Sequence, residues 1–370
     1  MSRIMQLYQP TDGGVGRHVG DLAECLSERG HDVLLCGPSA PEGISPLPPR
    51  VTHVPLDLGR AVSPAADLRA LSRLAGIVRR LRPEVLHAHS SKAGALGRLA
   101  RLSRPGMPVV YTPHGYAFAG WFESSRERLA YREIERALAA LSSRVVCVCE
   151  AEARLGSSVG FRRRIRVVHN GIDAVGPGPT DPRMAELSLR GPVICVLTQL
   201  RPGKGIETLI DATPALLAHH RDLQLAIWGE GPELGSLLER ARGRGAAEAV
   251  HFLGPSDDPL AALRGADVFV HPSLAEAFPY AILEGMAVGA AIVASDVGGI
   301  GEALVDGESG LLVPAGSVPP LGHALIGLLA DPQRRAAMGD AAKLRVQTLF
   351  TREAMIDRLI DVYHEIALKE

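Results

Sequence analysis

Two glutamates lie eight positions apart in a segment that is otherwise mostly apolar. Glu276 and Glu284 both fall within LAEAFPYAILEGMAVG, residues 274–289, which follows an apolar run typical of a buried strand. An unpaired buried carboxylate is costly, whereas a carboxylate that accepts hydrogen bonds from two hydroxyls of a diol is satisfied. Ribose and hexoses carry such diols, so the pair favours a sugar or nucleoside ligand. The alternative is that both acids pair with arginines at the surface.

The segment between the glutamates has the features of a helix start. Pro279 suits the first helical position, which leaves Glu276 and Phe278 where backbone N–H groups are available to a ligand. Glu284 lies about one and a half turns further on, and helical side chains tilt toward the amino terminus. We therefore expect both carboxylates to reach the same ligand.

A second candidate site is the basic turn QLRPGKGIETLI, residues 199–210. Arg201 and Lys204 follow a strand-like run and precede a helical pattern, a place where a flexible cation reaches phosphate oxygens. The turn lacks the Gly-x-x-x-x-Gly-Lys-Ser/Thr pattern of a P-loop. The alternative interpretation is an ordinary solvent-exposed turn.

A third candidate is the glycine-rich turn YQPTDGGVGRHVG, residues 8–20. Gly13, Gly14 and Gly16 allow close approach of the backbone to a ligand, and the following helix offers free N–H groups to an anion. The spacing differs from the Gly-x-Gly-x-x-Gly fingerprint of dinucleotide-binding folds, so a nicotinamide site is not predicted. The alternative is that these glycines only shape a strand-to-helix turn.

The elements that must position these residues alternate along the chain. Near-continuous apolar runs, separated by helical periodicity, are typical of parallel strands that are covered on both faces. The series restarts after the Gly/Pro-rich stretch GPGPTDP, residues 176–182. The pattern predicts an α/β protein of two doubly wound, Rossmann-like domains. Because such sheets bind ligands at the carboxyl ends of their strands, we expect the site in a cleft between the domains.

Length and composition agree with two soluble domains. The chain has 370 residues, with 46% hydrophobic and 22% charged residues, and no apolar run of transmembrane length. The amino terminus lacks a signal-peptide pattern, and five cysteines without zinc spacing indicate reduced core residues of a cytoplasmic protein. Residues 1–172 hold 24 Lys+Arg against 15 Asp+Glu. This basic half suits an anionic membrane surface or substrate, although it is equally explained by solvated arginine-rich helices, and nucleic acid is not an expected partner.

The motifs together resemble the retaining glycosyltransferases of family 4, which have the GT-B fold. The resemblance spans nearly the whole chain, and the Glu-x7-Glu pattern with the run that follows it is its most specific part. The motifs are Gly13-Gly14, TPHG (112–115), VVHNGID (167–173), RPGKG (201–205), WGEGPE (228–233), EAFPYAILE (276–284) and ASDVGGIGEALVDGESGLLVPAG (294–316).

The resemblance implies a domain plan. Residues 1–172 would form an acceptor-binding domain and residues 173–190 a linker. Residues 191–350 would form the nucleotide-sugar-binding domain, and residues 351–370 a helix that crosses back to the first domain.

The resemblance also implies roles for individual residues. Glu284 would bind the ribose, Glu276 the transferred sugar, and Lys204 the departing diphosphate. His114 would approach the reacting centre as an orienting and polarising group, so that the catalytic set is His114, Lys204 and Glu276. The donor-binding set would be Gly13, Gly14, Gln199, Arg201, Lys204, Gly229, Leu253, Glu276, Ala277, Phe278, Pro279 and Glu284.

The chain departs from the family at one position. Members commonly have an arginine five residues before the lysine, where this chain has Gln199, and Arg201 occupies a place that is normally variable. Either Arg201 substitutes for that arginine or the diphosphate meets one strong cation and a glutamine.

The chemistry implied is transfer of a hexose-type sugar, with UDP as the expected nucleotide, retention of configuration and no cofactor. The departing phosphate would receive the proton of the acceptor. No Asp-x-Asp pair occurs, so no metal ion is predicted. His87 and His89 share a strand face, but two imidazoles without a third ligand are a poor metal site.

The acceptor is expected to meet the first domain, where Lys92, Tyr116 and Trp121 lie among arginines and aromatics. A polyprenyl- or other lipid-linked acceptor or a cell-surface glycan precursor is one interpretation, with the protein peripheral at the inner face of the cell membrane. A small soluble acceptor, such as a natural product, is the alternative. A sugar-nucleotide 2-epimerase and a non-catalytic nucleotide-sugar binder remain as other classes.

Overall fold

The computed structural model describes residues 2–120 and 124–367, and the chain divides into two compact units. Unit 1 comprises Met1–Asn170 and Arg352–Glu370, and unit 2 comprises Gly171–Thr351. Each unit has its own parallel sheet, so the predicted pair of doubly wound domains is confirmed.

Unit 1 contains a seven-stranded sheet in the order β3-β2-β1-β4-β5-β6-β7, with every pair parallel. The central strands are fully buried, as apolar runs covered by helices on both faces require. The strands are β1 (Arg3–Tyr8), β2 (Asp32–Gly37), β3 (Val51–Pro55), β4 (Val85–His89), β5 (Val109–Thr112), β6 (Arg144–Cys147) and β7 (Ile165–Val167). The helices are α1 (Gly13–Glu28), α2 (Pro64–Leu81), α3 (Ser91–Ala100), α4 (Ser125–Leu138), α5 (Glu150–Ser158) and, from the end of the chain, α14 (Arg352–His364).

Helix α14 completes the core of unit 1. Its residues Met355, Ile356 and Leu359 are buried in the same cluster as strand residues of β1 and β2. The Tyr363 hydroxyl lies 2.7 Å from Nδ1 of His87 and accepts a 3.2 Å hydrogen bond from the Gln6 amide. The last helix of the chain is therefore fixed to residues at the centre of the first sheet.

Unit 2 contains a six-stranded parallel sheet in the order β10-β9-β8-β11-β12-β13. Its strands are β8 (Val193–Leu197), β9 (Gln224–Trp228), β10 (Val250–Gly254), β11 (Val268–His271), β12 (Ile292–Ser295) and β13 (Leu311–Val313). Its helices are α6 (Pro182–Ser188), α7 (Ile206–His219), α8 (Leu234–Gly243), α9 (Pro259–Arg264), α10 (Tyr280–Val288), α11 (Ile300–Ala303), α12 (Val318–Leu329) and α13 (Pro332–Leu349).

The segment expected to be a linker, residues 173–190, differs from that expectation. The structure assigns it to unit 2, and it includes helix α6. Met184 of this helix is buried and accepts a 3.4 Å hydrogen bond from the indole N–H of Trp228, while the Arg183 guanidinium lies 4.1 Å from the Trp228 ring centroid. Its apolar residues pack on the sheet, so this part of the segment is structured.

Both sheets reverse their strand order at one place, between β1 and β4 in unit 1 and between β8 and β11 in unit 2. In open parallel sheets, ligands bind outside the carboxyl ends of the strands at such a place. The loops that follow these strands are therefore where functional side chains are expected. Among the helices of residues 2–120 and 124–367, none has the length and apolar character needed to cross a membrane.

Candidate functional site

In unit 2, the loops that follow β8 and β11 are joined by their backbones. The Leu274 N–H donates a 2.8 Å hydrogen bond to the Gly203 carbonyl. Gly205 has φ +68°, and a Cβ at this position would lie 2.0 Å from the Pro272 carbonyl oxygen. Only glycine allows this approach, which places the neighbouring Lys204 against the loop that carries Glu276.

Lys204 and Glu276 form an ion pair that is largely removed from water. The Lys204 Nζ lies 2.5 Å from Oε1 of Glu276, and the two side chains are 11% and 12% exposed. His271, at the end of β11, places Nε2 3.2 Å from the same oxygen. Burial by itself would raise the pKa of Glu276, but the Lys204 ammonium and His271 outweigh it and hold the pKa far below its ordinary value. Glu276 is therefore a carboxylate at neutral pH.

A glycine loop supports the Glu276 backbone from behind. Gly298 has φ +57°, and a Cβ at this position would lie 1.8 Å from the Glu276 carbonyl oxygen. The Gly299 N–H donates a 2.7 Å hydrogen bond to the Ala277 carbonyl. The run that follows the second glutamate in the sequence thus fixes the backbone of the first.

Glu284 lies in helix α10, among buried Ile282, Leu283 and Met286, and is 9% exposed. Pro279 precedes the first helical residue, Tyr280, and does not occupy the first helical position itself. Proline has no N–H, so a ligand at this end of the helix would meet the amides of neighbouring residues instead.

The side chain of Phe278 packs inside unit 2. Its side chain is buried, and its ring centroid lies 5.3 Å from that of Phe350. The side chain therefore anchors the turn that follows Glu276.

Two glycines after β9, like Gly205, allow a close approach between backbone segments. A Cβ on Gly229 would lie 1.8 Å from the Thr198 carbonyl oxygen, and one on Gly231 would lie 2.2 Å from that of Leu200. These close approaches bring the β9 loop against the segment that carries Gln199 and Arg201, both of which are exposed.

Leu253, expected to contact the donor, lies in strand β10. Its carbonyl oxygen accepts a 3.1 Å hydrogen bond from Nη1 of Arg183. This carbonyl is thus already used in fixing helix α6 to the sheet.

In unit 1, four histidines gather at the carboxyl ends of β4 and β5 and at helix α1. His89 Nδ1 lies 3.0 Å from His114 Nε2, and His89 Nε2 lies 2.7 Å from the Gln6 amide oxygen. The His18 ring centroid lies 4.7 Å from that of His114. The sequence pattern singled out His87 and His89 without a third ligand, whereas the fold groups His89 with His18 and His114 and leaves His87 outside that group.

The remaining contacts of these histidines fix their rings. His18 Nδ1 lies 3.2 Å from the Asn170 amide oxygen, and His87 Nε2 lies 2.7 Å from the Thr112 hydroxyl. Burial lowers the pKa of His18 to about 4 and that of His87 well below its ordinary value. Burial, together with the neighbouring imidazoles, also lowers the pKa of His89 and of His114, so all four rings are neutral at pH 7.

The turn that carries His114 is held by a buried carboxyl group. His114 has φ +54°, a conformation that is uncommon outside glycine, and Gly115 follows with φ +100°. Glu152 is buried, and its two oxygens accept hydrogen bonds from the Gly115 N–H at 2.5 Å and the Val148 N–H at 2.7 Å. Burial raises the pKa of Glu152 to about 7 even though both N–H donors act to lower it. No sequence motif indicated a role for Glu152.

The glycine turn of unit 1 begins helix α1 at Gly13, which has φ +61°. Gly13 and Gly14 are exposed at the helix start and remain available to a ligand. Gly16 is structural, since a Cβ there would lie 2.1 Å from the Thr11 carbonyl oxygen.

Of the three residues expected to bind an acceptor, the structure describes two, and both have contacts within unit 1. Tyr116 is 2% exposed and stacks on Phe118 in the core, so an acceptor-binding role for its side chain is not supported. Lys92 forms a 2.8 Å ion pair with Asp67 that fixes helix α3 to helix α2. Trp121 lies outside the described residues.

Family sequence models match consecutive parts of the chain. The model described as Glycosyltransferase Family 4 matches residues 12–175, and the one described as Glycosyl transferases group 1 matches residues 180–345. A phosphatidyl-myo-inositol mannosyltransferase of Mycolicibacterium smegmatis is 32% identical over 356 residues, which cover 90% of this chain and 86% of that protein. A glycogen synthase of Mycobacterium tuberculosis is 28% identical in an alignment of 381 positions, gaps included, which covers 95% of this chain and 91% of that protein.

Solved structures share the fold over the whole chain. A sucrose-phosphate synthase from Thermosynechococcus elongatus has a TM-score of 0.84 at 22% identity and covers 99% of both chains. The Anabaena HepE complex with UDP and glucose has a TM-score of 0.82 at 20% identity and covers 99% of this chain and 100% of that one. At these identities the likeness shows the fold alone.

The first prediction concerns the support behind Glu276. Gly298→Ala and Gly307→Ala both place a Cβ at a positive φ, which costs about 1–2 kcal/mol. Only Gly298 faces a carbonyl at 1.8 Å, whereas nothing lies within 4 Å of a Cβ on Gly307. We expect Gly298→Ala to lower the free energy of unfolding by about 1–3 kcal/mol more than Gly307→Ala, measured by urea unfolding. Equal losses would contradict the close approach.

The second prediction concerns Glu152. Its raised pKa means that this group contributes stability that is complete below its ordinary pKa of 4.5 and is lost as the pH rises through about 7. The free energy of unfolding of the wild type, relative to Glu152→Gln, should therefore fall by on the order of 1–3 kcal/mol between about pH 5 and pH 8. Urea unfolding at several pH values checks this. Glu150→Gln, an exposed site on the same helix, should keep the wild-type profile, and a parallel profile for Glu152→Gln would refute the assignment.

Proposed function

Because this chain belongs to glycosyltransferase family 4 and has the GT-B fold, we propose that it transfers a hexose-type sugar from a nucleotide-sugar to an acceptor hydroxyl, with retention of configuration and without a metal ion. Membership and fold are given by the comparisons and the two sheets. The donor, the stereochemistry and the acceptor are our proposal.

The observation that carries the proposal is the Lys204–Glu276 pair at the strand-order reversal of unit 2. The contacts of Glu276 with Lys204 and with His271 both use Oε1. We assign the other oxygen, Oε2, to a hydroxyl of the transferred sugar. Glu276 would then orient the sugar and hold the Lys204 ammonium beside the diphosphate before the reaction begins.

The transfer follows from where charge develops. The bond from the anomeric carbon to the diphosphate oxygen breaks, and a new bond to the acceptor oxygen forms on the same face. The acceptor hydroxyl gives its proton to the departing phosphate oxygen, so no protein base is required. Lys204 stabilises the charge on the leaving group, as a positioned cation in a site of low exposure does effectively.

His114 suits an orienting role better than a basic one. Its pKa lies well below the ordinary value because of burial, and its Nε2 is already within hydrogen-bond distance of His89. With its proton on Nε2, the neutral ring can accept a hydrogen bond from a hydroxyl through Nδ1 and orient that hydroxyl without taking a full proton.

UDP is the first nucleotide to test, because it is frequent in the family and because the structurally similar HepE protein was solved with it. Gln199 and Arg201 are exposed and precede Lys204 in the same turn. Either side chain would donate a further hydrogen bond to the diphosphate. Because this chain has Gln199 where the family commonly has an arginine, we expect modest donor affinity.

For the acceptor, we favour a lipid-linked hydroxyl. One relative is named as a phosphatidyl-myo-inositol mannosyltransferase, which acts on a lipid headgroup. In this chain, helix α4 exposes Leu129 and Ile134, at 58% and 46%, among several arginines. Exposed apolar side chains next to arginines suit an anionic membrane surface. A small soluble acceptor is the alternative, and transfer to detergent-solubilised against water-soluble acceptors separates them.

The third prediction tests whether Lys204 acts on the leaving group or serves only to balance the charge of Glu276. Lys204→Met should lower kcat about 100- to 1,000-fold because the leaving group loses its cation. It should also lower the melting temperature, since it leaves Glu276 buried without its partner. The double variant Lys204→Met, Glu276→Gln should recover stability but not activity.

Lys343→Ala, at the other lysine of unit 2, is the control and should behave as wild type. Recovery of activity in the double variant would mean that Lys204 serves only as the counter-ion of Glu276.

The fourth prediction concerns Glu284. Glu284→Gln keeps the shape of the side chain but weakens its hydrogen bonds to a diol, so the Kd for UDP-sugar should rise about 10- to 100-fold with little change in stability. Isothermal titration calorimetry with UDP-, GDP- and ADP-sugars measures this and identifies the base. Glu308→Gln, at an exposed site, is the matched control. Unchanged affinity in Glu284→Gln would remove this residue from the donor site.

Product analysis separates the other function classes. An epimerase would convert the donor in the absence of acceptor, and a non-catalytic binder would release no nucleoside diphosphate when acceptor is added. Proton NMR of the new anomeric signal, recorded with EDTA present, tests retention and metal independence together. An inverted product or complete loss of activity in EDTA would overturn those parts of the proposal.

A further inference from the structure

The histidine cluster of unit 1 has the arrangement of a metal site that the proposed transfer does not require. His18, His89 and His114 each present a ring nitrogen, and these three nitrogens lie within 4.8 Å of one another. We propose that these residues bind a divalent transition-metal ion of the zinc or cobalt type, and that the bound ion inhibits sugar transfer.

The hydrogen-bond partners of His18 and His89 determine which ring nitrogen carries the proton and which carries the lone pair. The Gln6 amide oxygen at 2.7 Å requires a proton on Nε2 of His89, which leaves Nδ1 as the acceptor that faces His114. The Asn170 amide oxygen at 3.2 Å likewise places the proton of His18 on Nδ1 and leaves Nε2 as the ligand atom. Carbonyl acceptors on the second ring nitrogen are the usual outer contacts of metal-binding histidines.

His114 must change tautomer to complete the set. Its Nε2 lies 3.0 Å from the accepting Nδ1 of His89, so Nε2 carries the proton in the structure without an ion. On binding, this proton moves to Nδ1 of the same ring, and Nε2 becomes a ligand. The ring remains neutral, so the metal replaces one hydrogen bond without a change in the total charge of the side chains.

The distances require a small rearrangement. Zinc-to-nitrogen bonds are about 2.0–2.1 Å, so two tetrahedral ligands lie roughly 3.3–3.4 Å apart. The 3.0 Å separation of His89 and His114 must open by a few tenths of an ångström, and the His18 ring must move inward. Because His114 is half-buried, an ion can enter from its side. Three ligands leave a fourth position open to water.

The ligand chemistry selects the class of ion. Neutral imidazoles favour zinc, cobalt, nickel and copper, whereas magnesium and calcium prefer oxygen ligands. No carboxylate belongs to the cluster. Magnesium is therefore the negative control.

The inference that the ion inhibits follows from His114, which the proposed transfer uses as an orienting group. When the proton moves to Nδ1, that nitrogen changes from a hydrogen-bond acceptor to a donor, so the ring can no longer accept a hydrogen bond from a substrate hydroxyl. Binding of the ion is measured without substrate, so the metal site can be confirmed even if the proposed transfer is wrong. The proposed transfer can likewise be confirmed even if no ion binds.

The experiment titrates the metal-free full-length protein with Co²⁺ and Zn²⁺, using the visible absorption of tetrahedral Co²⁺ and calorimetry. We expect one ion per chain, no response to Mg²⁺, and an affinity at least about tenfold weaker in His18→Gln and in His89→Gln. Gln6→Met, which keeps all three ligands, should weaken binding about 10- to 100-fold. His87→Gln, a buried neighbour outside the ligand set, and His323→Gln, an exposed site in unit 2, should bind as wild type.

Anomalous scattering from a zinc-soaked crystal of the wild type gives a test that does not depend on variants that fold poorly. Density between the three rings supports the proposal. Absence of one-to-one binding, equal binding by His89→Gln and wild type, or zinc located elsewhere overturns it. If the ion binds at the three rings but transfer proceeds at the same rate with and without Zn²⁺, the inhibitory part is wrong.

Discussion

The ion pair between Lys204 and Glu276 is the interaction on which the arrangement of unit 2 depends. It joins two loops that leave neighbouring strands, and it is shielded from water on most sides. Removing one partner of such a pair costs about 3–5 kcal/mol because the other charge is left buried. The glycines at 205 and 298 permit the backbone approach that the pair requires, so covalent geometry and electrostatics act at the same point.

Unit 1 uses neutral groups where unit 2 uses charges. Its histidines are held in fixed tautomers by amide and hydroxyl oxygens from several elements, and burial keeps them uncharged. Desolvation makes an imidazolium expensive there, while a carboxylate next to an ammonium is stable in unit 2. The cluster of unit 2 therefore offers fixed charges, whereas the cluster of unit 1 offers oriented neutral dipoles.

Much of the fold was accessible from the sequence, because apolar runs of strand length alternate with helical periodicity throughout. Lys204 and Glu276 were also accessible, since their turns follow strands that the fold makes neighbours. The His18 contribution was not, because it arises only when helix α1 packs beside the ends of β4 and β5. Tyr116 misled for a related reason: an aromatic residue beside basic segments has the same sequence pattern whether it faces solvent or, as here, packs on Phe118. Helix α6 was missed because its Gly/Pro-rich approach resembles a linker, while its burial depends on the distant Trp228.

Unit 1 is built from two separate segments of the chain, because helix α14 follows unit 2 in the sequence. The hydroxyl that contacts His87 and Gln6 belongs to Tyr363, whereas the rest of this core is encoded before residue 171. During synthesis, which adds about 5–20 residues per second, the ribosome must complete all of unit 2 before that helix emerges. The nascent amino-terminal half therefore waits for roughly ten seconds or longer with an incomplete core, so chaperone capture and early proteolysis act on it before they can act on its carboxyl-terminal neighbour.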